Sequence, residues 1–168
     1  LSFDLSLFNV VATLVFAFLA RVTGRRDLAI LAPSHNRSGA AFKETMGLFI
    51  EILPLYLELE DADSFRDVHA RVARESAAFL LLALPGTSSA VHNRSYSVLL
   101  NFIHAAFSDF AGMPMTSEWI HPGHGDSSHA LRLQVHDFDG RGNLRLHFDL
   151  SREIFGPDAA DRVMRHFL

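Results

Sequence analysis

The densest group of side chains able to do chemistry is the run His121-Pro-Gly-His124-Gly-Asp126-Ser-Ser-His129. Imidazoles and a carboxylate together suit a divalent transition metal. However, the glycines indicate a flexible loop, and no helical spacing holds one ligand against another. A connecting loop is therefore the favoured interpretation, and we predict no bound metal.

Other motifs that carry chemistry are incomplete in this chain. Asp137-Phe-Asp139-Gly140 begins like a calcium loop, but the later glutamate is missing, so a hairpin turn explains it better. Gly86-Thr-Ser-Ser-Ala is not the Gly-x-Ser-x-Gly of a hydrolase nucleophile elbow. No glycine loop that cradles phosphate occurs. Because the chain has no cysteine, disulfides, thiolate catalysis and zinc–thiolate sites are excluded.

The composition fits one domain that spans residues 1–168. Apolar residues make up 49%, which indicates either a large core or surface covered by a partner. The net charge of −4 predicts no nucleic-acid or anionic-lipid partner. The apolar segment 7–19 is too short for a membrane span and lacks the basic start of a signal peptide, so we expect a cytoplasmic protein. Because the chain starts with Leu1, we expect it to be part of a longer protein.

The hydrophobic pattern predicts an α/β domain with a mixed sheet. Apolar residues recur at helical spacing in three segments, and apolar or alternating runs lie between them. The predicted helices are 6–23, 64–82 and 158–168, and the predicted strands are 28–32, 48–59, 95–107, 131–137 and 144–150. Residues 34–43 are predicted as a polar loop. Pro54 belongs at a bulge or at an edge of the sheet, and residues 140–143 form the turn of a hairpin.

The segment 27–59 carries a family resemblance. An apolar strand ends in Asn36-Arg37, and Gly47-Leu-Phe49 and Leu53-Pro-Leu55 follow. This resembles the second half of the nonribosomal peptide synthetase condensation domain, with its Gly-Arg strand end and its Gly-x-Phe…Leu-Pro-Leu segment. Weaker matches cover nearly the whole chain, at Phe18–Gly24, Asp27, Ser64-Phe65, Asn93–Phe102, Phe148–Leu150 and Ile154-Phe155.

The resemblance implies a chloramphenicol acetyltransferase-like fold, in which two similar lobes meet in a V. Each lobe would be a two-layer sandwich with helices on one face of a mixed sheet. The family's His-His-x-x-x-Asp-Gly motif belongs to the first lobe, and this chain contains no His-His pair. By resemblance it is the C-terminal lobe, without a catalytic residue of its own. Residues 107–129 are then expected to form the segment that crosses to the first lobe.

Arg37 is the residue whose role the resemblance predicts. The family's strand-end arginine is expected to pair with the aspartate of the catalytic motif, and a guanidinium fork suits such bracing. The alternative is a solvated loop arginine. Other residues are expected to line the cleft or tunnel: Asn36, Gly47, Phe49, Glu51, Asn93, Arg94, Ser95 and Tyr96.

Three departures from the family pattern indicate an atypical subgroup. Glu51-Ile52 replaces Asn-Thr, Tyr56 replaces a frequent Arg, and the His…Pro-Phe element is missing near residues 81–85. These differences put the ordinary aminoacyl substrates in question and leave an acyl donor open.

The implied function is to help join a carrier-bound acyl donor to a carrier-bound acceptor through an amide or ester bond. The partners are the N-terminal lobe and carrier proteins, whose phosphopantetheine arms bring the substrates, and no cofactor is bound directly. Two alternatives stay open: a non-catalytic half domain that serves as a scaffold or docking module, and a lobe of a related acyl-CoA-dependent acyltransferase. An isolated lobe is expected to form a homodimer.

Overall fold

Four helices and seven strands make up the described part of the chain, which covers residues 5–37, 40–87, 96–105, 109–116, 118–120, 128–138 and 143–168 of a computed structural model. The helices are α1 (Leu5–Thr23), α2 (Ala40–Lys43), α3 (Phe65–Leu82) and α4 (Pro157–Phe167). The strands are β1 (Asp27–Ser34), β2 (Glu51–Glu58), β3 (Val98–His104), β4 (Asp109–Phe110), β5 (Met113–Pro114), β6 (Leu131–Asp137) and β7 (Arg145–Leu150). None of these helices is both long and apolar enough to cross a membrane.

The central sheet is mixed, with the strand order β2-β1-β3-β6-β7. β1, β3 and β6 run parallel, whereas β2 and β7 pair antiparallel at the two edges. The predicted mixed sheet is confirmed. Because the three parallel strands end on the same side, they create one shared rim, which we name the carboxyl edge of the sheet.

The core lies between one face of this sheet and the helices. Alternate strand residues point to the same face, and Ile30, Leu55, Leu100 and Leu133 are fully or almost fully buried there. On α1, Phe16 is equally buried in the same cluster. The helix layer extends to α4, where the Phe167 ring lies 5.6 Å from that of Phe18 on α1 and 5.3 Å from that of Phe148 on β7, centroid to centroid. The predicted two-layer arrangement, with helices on one face, is therefore confirmed.

Most of the predicted elements are found within a few residues of their expected bounds. Pro54 lies on the edge strand β2, where its missing N–H leaves no gap in the interior of the sheet. Three predictions were wrong in detail. β3 ends at His104, the second strand begins only at Glu51, and the loop 34–43 contains the single turn α2. The predicted hairpin turn 140–143 lies outside the described residues, apart from Asn143.

Local signals explain where the long helices begin and end. α1 ends at Thr23 and is followed by Gly24, whose φ of +67° suits glycine and whose N–H donates to the carbonyl of Ala20 at 2.9 Å. Ser64 caps the start of α3 and forms a capping box with Asp67. The hydrogen bonds to the Asp67 carboxylate lower its pKa below the usual value.

Replacing Ser64 with alanine is expected to destabilise the chain by about 1 kcal/mol, because the N–H groups of the first turn lose their side-chain acceptor. Urea unfolding followed by circular dichroism measures the change. Ser64→Asp is the matched control, since aspartate also caps helices and should recover most of the loss. Equal unfolding of Ser64→Ala and the unmodified chain would contradict the role of the cap.

Candidate functional site

Polar side chains collect at the carboxyl edge of the sheet. Ser34, His104 and Asp137 are the last residues of the parallel strands β1, β3 and β6, and Glu51 is the first residue of the antiparallel strand β2. Strand alternation places all four on the face that carries the core. In open α/β sheets, ligands bind outside the carboxyl ends of parallel strands. This rim is therefore the candidate functional site.

Arg37 organises the loop between β1 and β2. Its Nη1 donates to the carbonyl oxygens of Phe42, at 2.8 Å, and of Thr45, and its Nη2 donates to that of Gly47 at 2.7 Å. The guanidinium carbon also lies 4.8 Å from the centroid of the Phe49 ring, a cation–π distance. Three loop carbonyls thus hold this side chain in the loop. Its pairing with a partner-lobe aspartate stays a prediction.

Asn36 shapes the turn in which Arg37 lies. Its φ of +51° is in the left-handed region, which asparagine tolerates better than most residues. The Asn36 Nδ2 donates to the carbonyl of Phe49 at 3.1 Å, and the Ser34 hydroxyl donates to the Asn36 Oδ1 at 3.0 Å. Gly47, with a φ of +145°, allows the loop to return toward β2. Three of the predicted lining residues, Asn36, Gly47 and Phe49, are thus brought together beside Arg37, and Glu51 pairs with Ser34 at the start of β2.

Glu51 connects this rim to the end of α3. Its buried side chain accepts a hydrogen bond from the backbone N–H of Gly86. The carboxylate therefore satisfies a backbone donor just beyond the helix. Glu51, which differs from the asparagine of the family pattern, is therefore held against the 83–87 turn.

His104 and Asp137 form a pair at the ends of two neighbouring strands. The His104 Nδ1 lies 2.9 Å from the Asp137 Oδ2, and the Asp137 side chain is only 4% exposed. The β3–β6 register sets these residues directly opposite each other. This pair could not be predicted from the sequence, because the residues do not show which strands are neighbours. The only available signal was that each residue ends an apolar strand.

Tyr96 lies apart from the other predicted lining residues. It precedes β3, at the opposite end of that strand from His104. Counted from the pairing of Leu31 with Leu99, Tyr96 and Asn36 are separated by about 26 Å along the strand direction. The predicted lining residues Asn93, Arg94 and Ser95 fall outside the described residues, as does most of the histidine-rich run. Within the described part, no three His, Asp or Glu side chains form a group that could hold a metal ion.

The end of the sheet opposite the carboxyl edge carries charged side chains, and these form structural contacts with one another and with the backbone. The Arg71 Nη1 lies 2.7 Å from the Asp63 Oδ2 and donates at 2.7 Å to the carbonyl of Glu58. Its hydrogen bond holds the pKa of Asp63 below the usual range. A groove of about 330 Å³ lies beside it, lined by Tyr56, Leu57, Glu58, Glu60, Arg71, Arg74 and Glu75. These contacts fasten α3 to β2.

A buried histidine faces away from the helices. His136 is 1% exposed, and neither ring nitrogen has a hydrogen-bond partner in the described structure. The rings of Trp119, Phe138 and His147 each lie with their centroids 4.8 Å from that of His136. Burial, followed by the charges of His147 and Arg145, lowers the pKa of His136 from its usual 6.5. Trp119 comes from the predicted crossover segment 107–129, so part of that segment packs on this chain's own sheet.

The free energy of unfolding is expected to fall as the pH drops below about 6.5. The pKa of His136 is lowered in the folded chain, so in this pH range the unfolded chain binds a proton at His136 more readily than the folded chain does. Urea unfolding at about pH 7.5 and about pH 5.5 measures the difference. His136→Phe keeps the ring stacking and removes this titration, so its stability should change less over the same interval. The exposed His166→Asn is the control and should behave like the unmodified chain. An unchanged pH dependence in His136→Phe would contradict the assignment.

The chain matches known proteins along almost its whole length. The family model described as "Condensation domain" matches residues 3–81. One of the plipastatin synthase polypeptides of Bacillus subtilis (strain 168) is 22% identical over 180 residues, which cover 95% of this chain and 7% of that protein.

Solved structures give the same result for the fold. A mutant starter condensation domain of the rhizomide synthetase superposes with a TM-score of 0.76 at 23% identity, covering 96% of this chain and 40% of that one. The first condensation domain of the CDA synthetase gives a TM-score of 0.69 at 22% identity, covering 95% and 37%. The chain therefore spans about two fifths of these structures. It is similar to the nonribosomal peptide synthetase condensation domains and has their chloramphenicol acetyltransferase-like fold.

Proposed function

We propose that this chain is the C-terminal lobe of a condensation domain. The observation that carries the proposal is coverage: nearly all of this chain aligns with about two fifths of the solved condensation domains. The remaining part of such a domain would contain the first lobe, where the resemblance places His-His-x-x-x-Asp-Gly. No His-His pair occurs in the 168 residues.

The surface around the carboxyl edge supports this proposal. Met46 and Leu48 in the loop after Arg37 are 96% and 86% exposed, and Leu81, Leu82 and Leu84 at the end of α3 are also largely exposed. The Glu51–Gly86 hydrogen bond joins these two segments into one region. A large exposed apolar patch marks a contact surface, and the first lobe would cover it.

The reaction proposed for the intact protein is attack of a carrier-bound amine on a carrier-bound thioester. The amine nitrogen bonds to the acyl carbon, the carbon–sulfur bond breaks, and the amine proton passes through a base of the first lobe to the leaving sulfur. This chain would contribute Arg37, the wall formed by Asn36, Gly47, Phe49 and Glu51, and a surface for carrier proteins. The phosphopantetheine arms of those carriers would deliver both substrates.

Two alternatives rest on particular observations. A lobe of an acyl-CoA-dependent acyltransferase gains support from one rhizomide synthetase starter domain, 20% identical, that was solved in complex with C8-CoA and Leu-SNAC. A scaffold or docking half domain gains support from the missing His-His motif. Swapping carrier-bound for free substrates separates the first alternative from condensation.

The coding sequence upstream of Leu1 tests the main proposal. We expect His-His-x-x-x-Asp-Gly in frame there, followed by the rest of a first lobe. A different upstream domain without this motif would overturn the condensation function and leave the half-domain scaffold in its place.

In isolation, the chain is expected to form a homodimer, because the exposed apolar residues around the carboxyl edge are then not covered by the first lobe. Light scattering across a concentration series measures the mass. Met46→Ser combined with Leu48→Ser should shift the chain toward the monomer, whereas Leu168→Ser, at the exposed C-terminus, is the control. A monomer at every concentration would contradict this prediction.

A further inference from the structure

The pair formed by His104 and Asp137 has the geometry of a proton-transfer dyad. Asp137 is buried at 4% exposure, whereas the His104 side chain is 24% exposed. The buried carboxylate therefore lies behind an imidazole that reaches the surface of the carboxyl edge. This order, carboxylate inside and imidazole outside, is how a carboxylate orients a histidine that accepts protons from a bound molecule.

The backbone sets this geometry. The register pairs His104 with Asp137 at the end of the β3–β6 ladder, and the N–H of Ala105 donates to the Asp137 carbonyl at 3.1 Å. The ladder thus continues past both residues and fixes the two Cα atoms. An active group built on paired strands is held more precisely than one on a loop.

The hydrogen bond also decides which nitrogen of His104 is free to react. An ionised carboxylate only accepts hydrogen bonds, so the Nδ1 of His104 must carry the hydrogen. In the neutral ring, the Nε2 is then an unprotonated acceptor. Among the described residues, His104 makes no further hydrogen bond. His35 differs, because its Nδ1 accepts a hydrogen bond from the Arg37 backbone and belongs to the loop structure.

We propose that His104 and Asp137 form a general-base dyad of this chain's own, which acts on activated acyl compounds, thioesters above all, at the carboxyl edge. His104 would be the catalytic residue and Asp137 the positioning residue. The thioester substrate class rests on the proposed function, whereas the dyad itself rests on the β3–β6 pairing of this chain. It places proton-transfer chemistry in a chain for which the family resemblance predicts none.

With water as the nucleophile, the dyad would hydrolyse a thioester in two steps. The water oxygen bonds to the acyl carbon while one water proton moves to the Nε2 of His104. The carbon–sulfur bond then breaks, and the proton moves from Nε2 to the leaving sulfur, which gives a carboxylic acid and a thiol. A general base contributes about 100-fold or more to such steps, and a site open to water should show the lower part of that range.

The first test is nitrogen-15 NMR of the histidine rings in the unmodified 168-residue chain, which needs no variant to fold. In the neutral ring, we expect His104 to carry its hydrogen on Nδ1. Asp137→Asn is expected to change the ring's nitrogen shifts toward the other tautomer, because the new amide can donate a hydrogen bond to Nδ1. A hydrogen on Nε2 in the unmodified chain would overturn the proposal.

The second test is hydrolysis of the thioester S-acetyl-N-acetylcysteamine by the purified chain. His104→Asn is expected to lower the protein-dependent rate about 100-fold, and Asp137→Asn should lower it in parallel. The control His166→Asn replaces an exposed histidine on α4 and should keep the full rate. Equal rates in His104→Asn, His166→Asn and the unmodified chain would overturn the proposal. The hydrolysis rate of this chain does not depend on what lies upstream of Leu1. The dyad can therefore fail its test while the condensation proposal passes its own, and the reverse also holds.

Discussion

Replacing Arg37 with alanine is expected to lower condensation by the intact two-lobed protein about 10- to 100-fold. A hydrogen bond to a charged group contributes about 1.5–3 kcal/mol, which corresponds to that range of rate. Three donor hydrogens of the guanidinium already bond to the carbonyls of Phe42, Thr45 and Gly47. The remaining two of its five donors are enough to brace a carboxylate from the other lobe. Single-turnover kinetics with carrier-bound substrates measures the effect.

Arg37→Lys separates the two roles of this side chain. Lysine keeps the charge but cannot reproduce the planar fork, so we expect it to recover part of the rate at most. Hydrogen exchange of residues 42–47 in this chain reports the loop role alone, and both variants should speed it. Condensation at the full rate in Arg37→Ala would contradict the bracing role, whereas unchanged exchange would contradict the loop role.

Leu133→Ala is expected to destabilise the chain by about 3 kcal/mol. Leu133 is fully buried on β6, between β3 and β7, so removing its side-chain carbons leaves a cavity that paired strands cannot close. The midpoint of urea unfolding measures the loss.

The matched control for Leu133 is Leu81→Ala at the end of α3. Leu81 is 79% exposed, so the same chemical change should alter stability by about 0.5 kcal/mol or less. If both variants unfold at similar urea concentrations, Leu133 does not lie in the core described above. If only Leu133→Ala loses stability, burial explains the difference, because the two substitutions are otherwise identical.

The local pattern of the sequence was enough to predict the main elements. Helical spacing marked α1, alternation marked β6 and β7, and Ser64 marked the start of α3, because each signal involves residues only a few positions apart. Pro54 indicated an edge strand, since a proline in an interior strand would leave one hydrogen bond of the sheet unmade. The bounds of β3 and the single turn α2 were missed, because short elements depend on their neighbours more than on their own residues.

The candidate site was predictable only in part. The resemblance directed attention to Asn36, Arg37, Gly47, Phe49 and Glu51, and these residues do lie together. Their contacts were not predictable. Arg37 binds carbonyls up to ten residues away along the chain, and Glu51 reaches Gly86, 35 residues later. Such contacts depend on how a loop closes, which side-chain type alone does not specify.

By itself, the sequence determined the elements of this protein, its α/β class and its relation to condensation domains. Only the tertiary structure decided that β3 lies beside β6 and in which register, and this pairing alone sets His104 against Asp137. The physical reason is the range of the interactions. Periodicity and capping act within a few residues, whereas parallel pairing joins strands far apart in the chain through backbone hydrogen bonds that every residue type can make. A His–Asp pair at two strand ends therefore becomes visible only after the sheet has formed.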